Sequence, residues 1–395
     1  MVEPFSGDRR KETMSQEDEP SSIIVLYNQS TKLVRGQQRD LLADEGVIVC
    51  AQAVAEALRA AGYRVAQVPI HTTVEQALAP YPPTRWVLFN LGEGLGGRLF
   101  EEARIAWALE AMGYRFTGAS GEALARSSHK ARAKAILAAN GVATPPWWVF
   151  YNSREVNART AAALPFPLIV KPVAEDASIG VDTDAVVHTR QALRSRVAYI
   201  TKHYRQAAMA EAFITGREFN IGLWGDPPEV LPLAEVDFSA IPDPFSQVIT
   251  YAAKWEADSF EYNNTPVVSP AVVDPELSAR IVSTACRAWT AIGARGYGRV
   301  DMRVSSEGVP YVLEVNCNPD ISPDAGFFRE ARVAGYTYQD MVVRILKLAR
   351  GASYVVDRAG LGHRRSGHPA HNGRNQHLCT HRQGVRRRVM EFVPG

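Results

Sequence analysis

Gly298-Arg299-Val300-Asp301-Met302-Arg303 and, after a short polar turn, Tyr311-Val312-Leu313-Glu314-Val315-Asn316 are the two runs on which the fold reading turns. Both alternate polar and apolar residues with a period of two, the mark of strands with one buried face. Ser305 to Gly308 supplies turn residues between them, so the runs read as a hairpin. With its tip near Ser306-Glu307, Asp301 falls opposite Glu314 and Arg299 opposite Asn316, and these polar groups converge on one face while the other stays apolar. Two carboxylates and an amide oxygen form a hard ligand set suited to magnesium, with manganese as a substitute, and Arg299 beside them suits a developing negative oxygen. The alternative for the same residues is a surface ladder of ion pairs, worth about 0.2–1 kcal/mol each.

Upstream, Pro167-Leu168-Ile169-Val170-Lys171-Pro172 ends an apolar strand on a lysine, and a polar loop through Ser178 to Gly180 follows. A buried ammonium there needs an anion, which a nucleotide phosphate supplies, with Ser178 and the loop amides cradling it; the alternative is a lysine snorkelling to solvent. Between these segments, Thr215-Gly216 reads as a tight turn joining strands over 207–214 and 217–224. Glu211 and Glu218 then stand on either side of that turn. Glu211 suits an adenine amino group and Glu218 ribose hydroxyls, or both are solvated charges of an ordinary hairpin.

Working outward, strands over 23–27, 64–70 and 86–91 alternate with helical patterns over 45–61 and 99–112, which argues for a parallel sheet in a first α/β domain. A helix over 130–139 closes at Asn140-Gly141, and another spans 275–292. The stretch 251–270 is a long polar and aromatic excursion, of the kind that is often functional in a compact domain. At 395 residues the chain has room for two or three cores, and 46% hydrophobic with 22% charged residues is ordinary globular composition. The longest apolar runs are strand-sized, so no membrane span is read. Four scattered cysteines without paired spacing argue against a disulfide framework or zinc ribbon and fit a cytoplasmic location. The net charge of +2 hides an arginine-rich end, so the remainder is acidic or near neutral, and nucleic acid is not expected as a partner. Residues 1–21 read as a disordered leader and 351–395 as a basic His/Arg-rich tail whose spacing matches no zinc site.

Taken in this order, the segments from about Ile23 to Ala349 resemble the ATP-grasp superfamily, and within it the D-alanine:D-alanine ligase family. The resemblance is carried by Gly298-Arg299-Val300-Asp301, Leu313-Glu314-Val315-Asn316, Val170-Lys171-Pro172 and Ser127-Ser128-His129-Lys130. It implies a fold mixing α/β and α+β parts: an N-terminal parallel-sheet pre-ATP-grasp domain over 22–120, then a two-lobed ATP-grasp fold with lobes over 121–213 and 214–350. It also implies an ADP-forming ligase that makes an acyl phosphate from ATP and joins the carboxylate of an amino acid or short peptide to an amine, the alternatives being an authentic D-alanine:D-alanine ligase of cell-wall synthesis and a catalytically silent ATP-binding protein; a homodimer is admitted as the assembly. By position, Lys130, Lys171 and the excursion's Lys254 are implied at the phosphates, and Glu211, Ile214 and Glu218 at adenine and ribose. Asp301, Glu314 and Asn316 are implied at magnesium and Arg299 at the oxyanion. The substrate end departs from the family. The glutamate that meets the first substrate's ammonium falls at Glu45, but its serine and tyrosine partners are replaced by Ala177 and Trp255. A glycine is replaced by Asp320 and a serine by Ala325, so D-alanine is not the expected acceptor. The glycine-rich stretch 90–97 also differs from the family's histidine-containing loop.

Overall fold

The computed structural model describes residues 22–29, 41–94 and 99–351; the expectations for the leader and for the tail beyond residue 351 lie outside them. Three sheets organise the chain. The first comprises β1 (Ser22–Asn28), β2 (Arg64–Ile70), β3 (Val87–Leu91) and β4 (Arg115–Phe116), all parallel in the order β2-β1-β3-β4. Helices Leu41–Ala60 and Glu101–Ala111 make the crossovers. The near-continuous apolar run of β1 follows from burial on both faces, the usual state of a parallel sheet.

The second sheet is made by β5 (Trp147–Phe150), β6 (Leu168–Pro172), β7 (Val186–Val187) and β8 (Ala208–Ala212), in the antiparallel order β5-β8-β6-β7. Helix Arg190–His203 packs beneath it. Its buried Leu193, Arg196, Val197 and Ile200 follow the i, i+3, i+4, i+7 spacing, and Thr189 caps its start. That helix is absent from the sequence reading above because arginines crowd its solvent side, although the cap and the spacing were there to be read.

The third sheet contains β9 (Arg217–Trp224), β10 (Glu229–Val230), β11 (Ala234–Val236), β12 (Val267–Val268), β13 (Tyr297–Val304) and β14 (Pro310–Asn316). One face presents Phe219, Ile221, Leu223, Val300, Met302 and Val312 to helix Pro275–Ile292 in a shared core. The other face carries the polar residues that meet the second sheet.

Two features differ from the sequence expectation. Thr215-Gly216 is not a hairpin turn, because β8 pairs with β5 and β6 while β9 pairs with β10, β11 and β13. The dipeptide is a crossover from one sheet to another, and a local turn signal does not reveal which strands pair. Gly216 sits at φ +134°, where a Cβ would lie 2.1 Å from the Val304 carbonyl oxygen. The hairpin β13–β14 has the expected pairs Arg299 with Asn316 and Asp301 with Glu314, but its register then shifts so that Met302 faces Val312. Strict alternation would have put Val312 and Glu314 on the same face. The bulge at Leu313 lets Val312 enter the core while Glu314 stays on the polar side.

Replacing Gly216 by Ala combines a disallowed backbone angle with a backbone clash and should destabilise the fold by at least about 2 kcal/mol. A urea midpoint within error of the parent's would contradict that role for the crossover.

Candidate active site

A cleft of about 250 Å³ lies between the second and third sheets. Its inner wall is built from buried charges. Helix Lys130–Ala139 starts where the Lys130 backbone N–H donates to the Val173 carbonyl (2.9 Å), tying the helix to the loop after β6. The Lys130 ammonium sits 2.7 Å from a Glu314 carboxylate oxygen and 3.0 Å from Asp176. Burial opposes its charge, but Glu314 and Asp176 outweigh burial and raise its pKa above the ordinary lysine range. The same balance acts on Glu314: burial favours the neutral acid, and Lys130, Lys254 and Lys171 overcome it and hold the carboxyl well below the usual range. Glu314 is therefore an anion at neutral pH.

One helical turn after Lys130, Lys134 is 1% exposed, and its ammonium lies 2.7 Å from Glu211, itself 1% exposed. Lys171, from β6, pairs with the other oxygen of Glu211. Burial disfavours the Glu211 charge, yet the two ammonium groups prevail and depress its pKa. Lys134 yields most to burial, which pushes it down to about 8 against the pull of Glu211. The Glu211 side chain is thus held between two lysines, with Lys171 facing the cleft.

Opposite, Arg299 grips Asp301 with two parallel bonds, Nε to Oδ1 at 2.7 Å and an Nη to Oδ2 at 2.8 Å, while Asn220 on β9 donates to Asp301 at 2.9 Å. Lys254, from the short helix Tyr251–Trp255 in the long excursion, lines the same cleft. Burial, then the Arg299 charge, lower its pKa, with Glu314 and Asp301 pulling the other way. Glu218 accepts from Arg303 Nε at 2.9 Å, and Arg303 also donates to the Ile214 carbonyl. Ser178, in the left-handed region at φ 59°, directs its hydroxyl to the Ile249 carbonyl (2.8 Å) and joins the loop after β6 to the excursion. Tyr251 N–H donating to the Val181 carbonyl adds a second tie, so the cleft is closed on that side.

The cleft brings together Arg299, Lys130, Lys171, Ser178, Glu211, Ile214, Glu218, Lys254, Asp301 and Glu314. Asn316, Trp255 and Asp320 do not line it. Asn316 accepts the Asn318 N–H through Oδ1 (2.8 Å), and Asp320 accepts from the Ser322 backbone and hydroxyl. Trp255 donates its indole N–H to the Ala177 carbonyl (3.0 Å) and packs near Gly46. Glu45 falls in helix Leu41–Ala60, but its side chain lies outside the described residues. The sequence reading missed Lys134 and Asn220. Lys134 follows Lys130 by one turn, and Asn220 follows Glu218 on the same face of β9, so helix and strand periodicity pointed to both.

Residues 136–347 match the family described as D-ala D-ala ligase C-terminus, more than half of the chain. The chain belongs to the D-alanine–D-alanine ligase family. This family member is 34% identical to the D-alanine–D-alanine ligase of Chromohalobacter salexigens, over 65% of this chain and 76% of that protein. It is 30% identical to an uncharacterized protein of Sinorhizobium fredii, over 70% of this chain and 79% of that one. Among solved structures, the D-alanine–D-alanine ligase of Bacillus anthracis complexed with ATP superposes with a TM-score of 0.65 at 20% identity, covering 83% of this chain and 97% of that one. The VanG D-Ala:D-Ser ligase of Enterococcus faecalis gives 0.64 at 19%, covering 83% and 99%. The fold is therefore ATP-grasp, preceded by a parallel sheet, and the chain is an ATP-dependent ligase of this type. Among the described residues no helix is long and apolar enough to cross a membrane.

Glu211→Gln would leave Lys134 and Lys171 without their counter-charge and should cost about 3–5 kcal/mol at pH 7 by urea unfolding. Glu211 has a folded pKa below its ordinary 4.5, so its contribution is present above that value and lost as pH falls through the depressed one. The gap between parent and variant should therefore narrow as the pH falls below 4.5; a gap independent of pH would refute the pairing argument.

Proposed function

We propose that this chain activates a small carboxylate as an acyl phosphate with ATP and passes the acyl group to an amine, forming an amide with release of ADP and phosphate. The observation that carries this reading is the convergence of Lys130, Lys171, Lys254 and Arg299 with Asp301 and Glu314 in one cleft. The apolar end, where Ile169, Phe213, Ile214 and Val248 line the wall, takes the adenine, with Glu218 at the ribose. The Glu211 side chain acts by fixing Lys171 rather than by reading the base. Lys130, Lys171 and Lys254 meet the phosphates, whose charge they offset.

Asp301 and Glu314 are paired across adjacent strands and carry hard oxygen donors, and Glu314 is held anionic, so the residues fit a magnesium ion. Asn316, two residues further along the strand, would add its amide oxygen only on giving up the Asn318 N–H that this oxygen accepts. When bound, the ion supplies neutralisation of phosphate oxygens during transfer. In the first step a carboxylate oxygen of the donor attacks the γ-phosphorus and ADP leaves. The amine nitrogen then attacks the acyl carbon, phosphate leaves, and the nitrogen loses a proton. Arg299 stands where the oxyanion of that second step develops, an interaction typically worth several kcal/mol in the transition state.

The substrates differ from two D-alanines. Trp255 stands in place of the family's tyrosine, packs near Gly46 and donates to the Ala177 carbonyl, which reshapes the donor end. Asp320, exposed, adds a negative charge that disfavours an anionic acceptor.

The test is ADP release from magnesium-ATP across D- and L-amino acids and dipeptides, D-alanine included, with and without a second amine and with mass detection of the amide. Amine-dependent ADP and a new amide are expected; an amide of two D-alanines as the preferred product would reverse the substrate reading. Glu314→Gln should lower ADP release at least about a hundredfold in a chain that circular dichroism shows to be folded, although losing the nearer partner of Lys130 also lowers its urea midpoint. An active variant would remove Glu314 from the metal set.

A further inference from the structure

Arg303 is a fully charged side chain, 4% exposed, on the cleft face of β13, and the reaction described above gives it nothing to do. Its guanidinium donates in three directions. Nε reaches Glu218 on β9 at 2.9 Å, one Nη reaches the Ile214 carbonyl in the crossover at 2.9 Å, and the other reaches the Gln247 carbonyl in the loop before the excursion helix. The plane is further held near two rings, Phe213 at 4.8 Å and Phe238 at 5.6 Å. A planar five-donor fork can bind three separate backbone and side-chain acceptors at once, which an ammonium on a flexible stem cannot do with fixed geometry.

The three acceptors belong to the three walls of the nucleotide end of the cleft. Ile214 lies where the second sheet hands over to the third, Glu218 is the carboxylate assigned to the ribose, and Gln247 belongs to the loop that closes over the cleft beside Val248 and Ile249. Glu218 is almost as buried as Arg303. Without a cation it would be an isolated buried carboxylate, and without a fixed partner its acceptor oxygens would have no set direction.

Resting on the ligase reading, we propose that Arg303 is a positioning residue of the nucleotide site: it fixes Glu218 toward the ribose hydroxyls and clamps the crossover and the closing loop to the same point. ATP then meets a site whose ribose acceptor is already oriented. The consequence is selective, because loss of the clamp removes the reading of the ribose more than the grip on the phosphates, which are met by other residues.

The experiment compares binding of ATP and 2′-deoxy-ATP, with magnesium, by titration calorimetry for the parent chain, Arg303→Met and Arg303→Lys. The parent should bind ATP about tenfold tighter than the deoxy form. In Arg303→Met the ATP affinity should fall to that of the deoxy form, with the ratio close to one. Arg303→Lys keeps a charge beside Glu218 and should recover part of the ratio; it also serves as the test if the methionine variant does not fold. A parent that does not distinguish the two nucleotides would overturn the inference. So would variants that keep the parent's ratio, or that lose both affinities equally, since an equal loss is what a purely structural arginine gives. Absence of any ATP binding by the parent would instead remove the nucleotide reading, and this inference with it.

Discussion

Lys130 with Glu314, Lys134 and Lys171 with Glu211, Arg299 with Asp301 and Arg303 with Glu218 pair charges within hydrogen-bonding distance along this cleft, and the rest of the site depends on that pairing. An unpaired buried ion costs several kcal/mol, so Lys130 without Glu314, or Glu211 without its lysines, would not stay ionised where it is. The pairs are also poor stabilisers for their own sake, because the desolvation they incur absorbs most of their attraction. A core of apolar residues would hold the two sheets together as well. What the charged wall provides is a set of lysines and carboxylates held in fixed orientation, which suits the polyanion of the proposed reaction.

The pairing also links elements that are distant in sequence. Lys130 and Glu314 are 184 residues apart and join the start of a helix to the third sheet. Lys134 adds a bond to Thr144, whose hydroxyl donates to the Val312 carbonyl, so the helix is tied to β14 at two levels. The bulge at Leu313 sits between these contacts and decides which side of the strand faces which neighbour.

Much of the fold was legible because its signals are local. The parallel β1–β3, the helices 130–139 and 275–292 and the pairing of Asp301 with Glu314 all follow from periodicity, caps and hairpin register. What escaped was of two kinds. Thr215-Gly216 has the composition of a turn, and only the long-range choice of strand partners makes it a crossover. The Leu313 bulge arises because Val312 is needed in the core and Glu314 in the cleft, a conflict visible only once the third sheet is assembled. In the cleft, the residues that face it were recognisable as types. Periodicity offers Lys134 and Asn220 as residues of those faces, but their contacts with Glu211 and Asp301 join separate elements and follow only from the assembled fold. Trp255 and Asp320 stood out as departures in the sequence, and the structure places both outside the cleft wall.

The chain enters and leaves the second sheet side by side: Ala212 N–H donates to the Pro146 carbonyl (2.9 Å), and Phe213 N–H to that of Pro167 (3.0 Å). Two tethers lying together define an axis, and the apolar end of the cleft, at Pro145, Phe213 and Ile214, lies on it. The loop bearing Asp176 and Ser178 follows the opposite end of β6, about 13 Å of strand from that axis. Any opening of the cleft therefore works as a lever. A rotation about that axis would displace the apolar end of the cleft least and the end that bears Asp176 and Ser178 most.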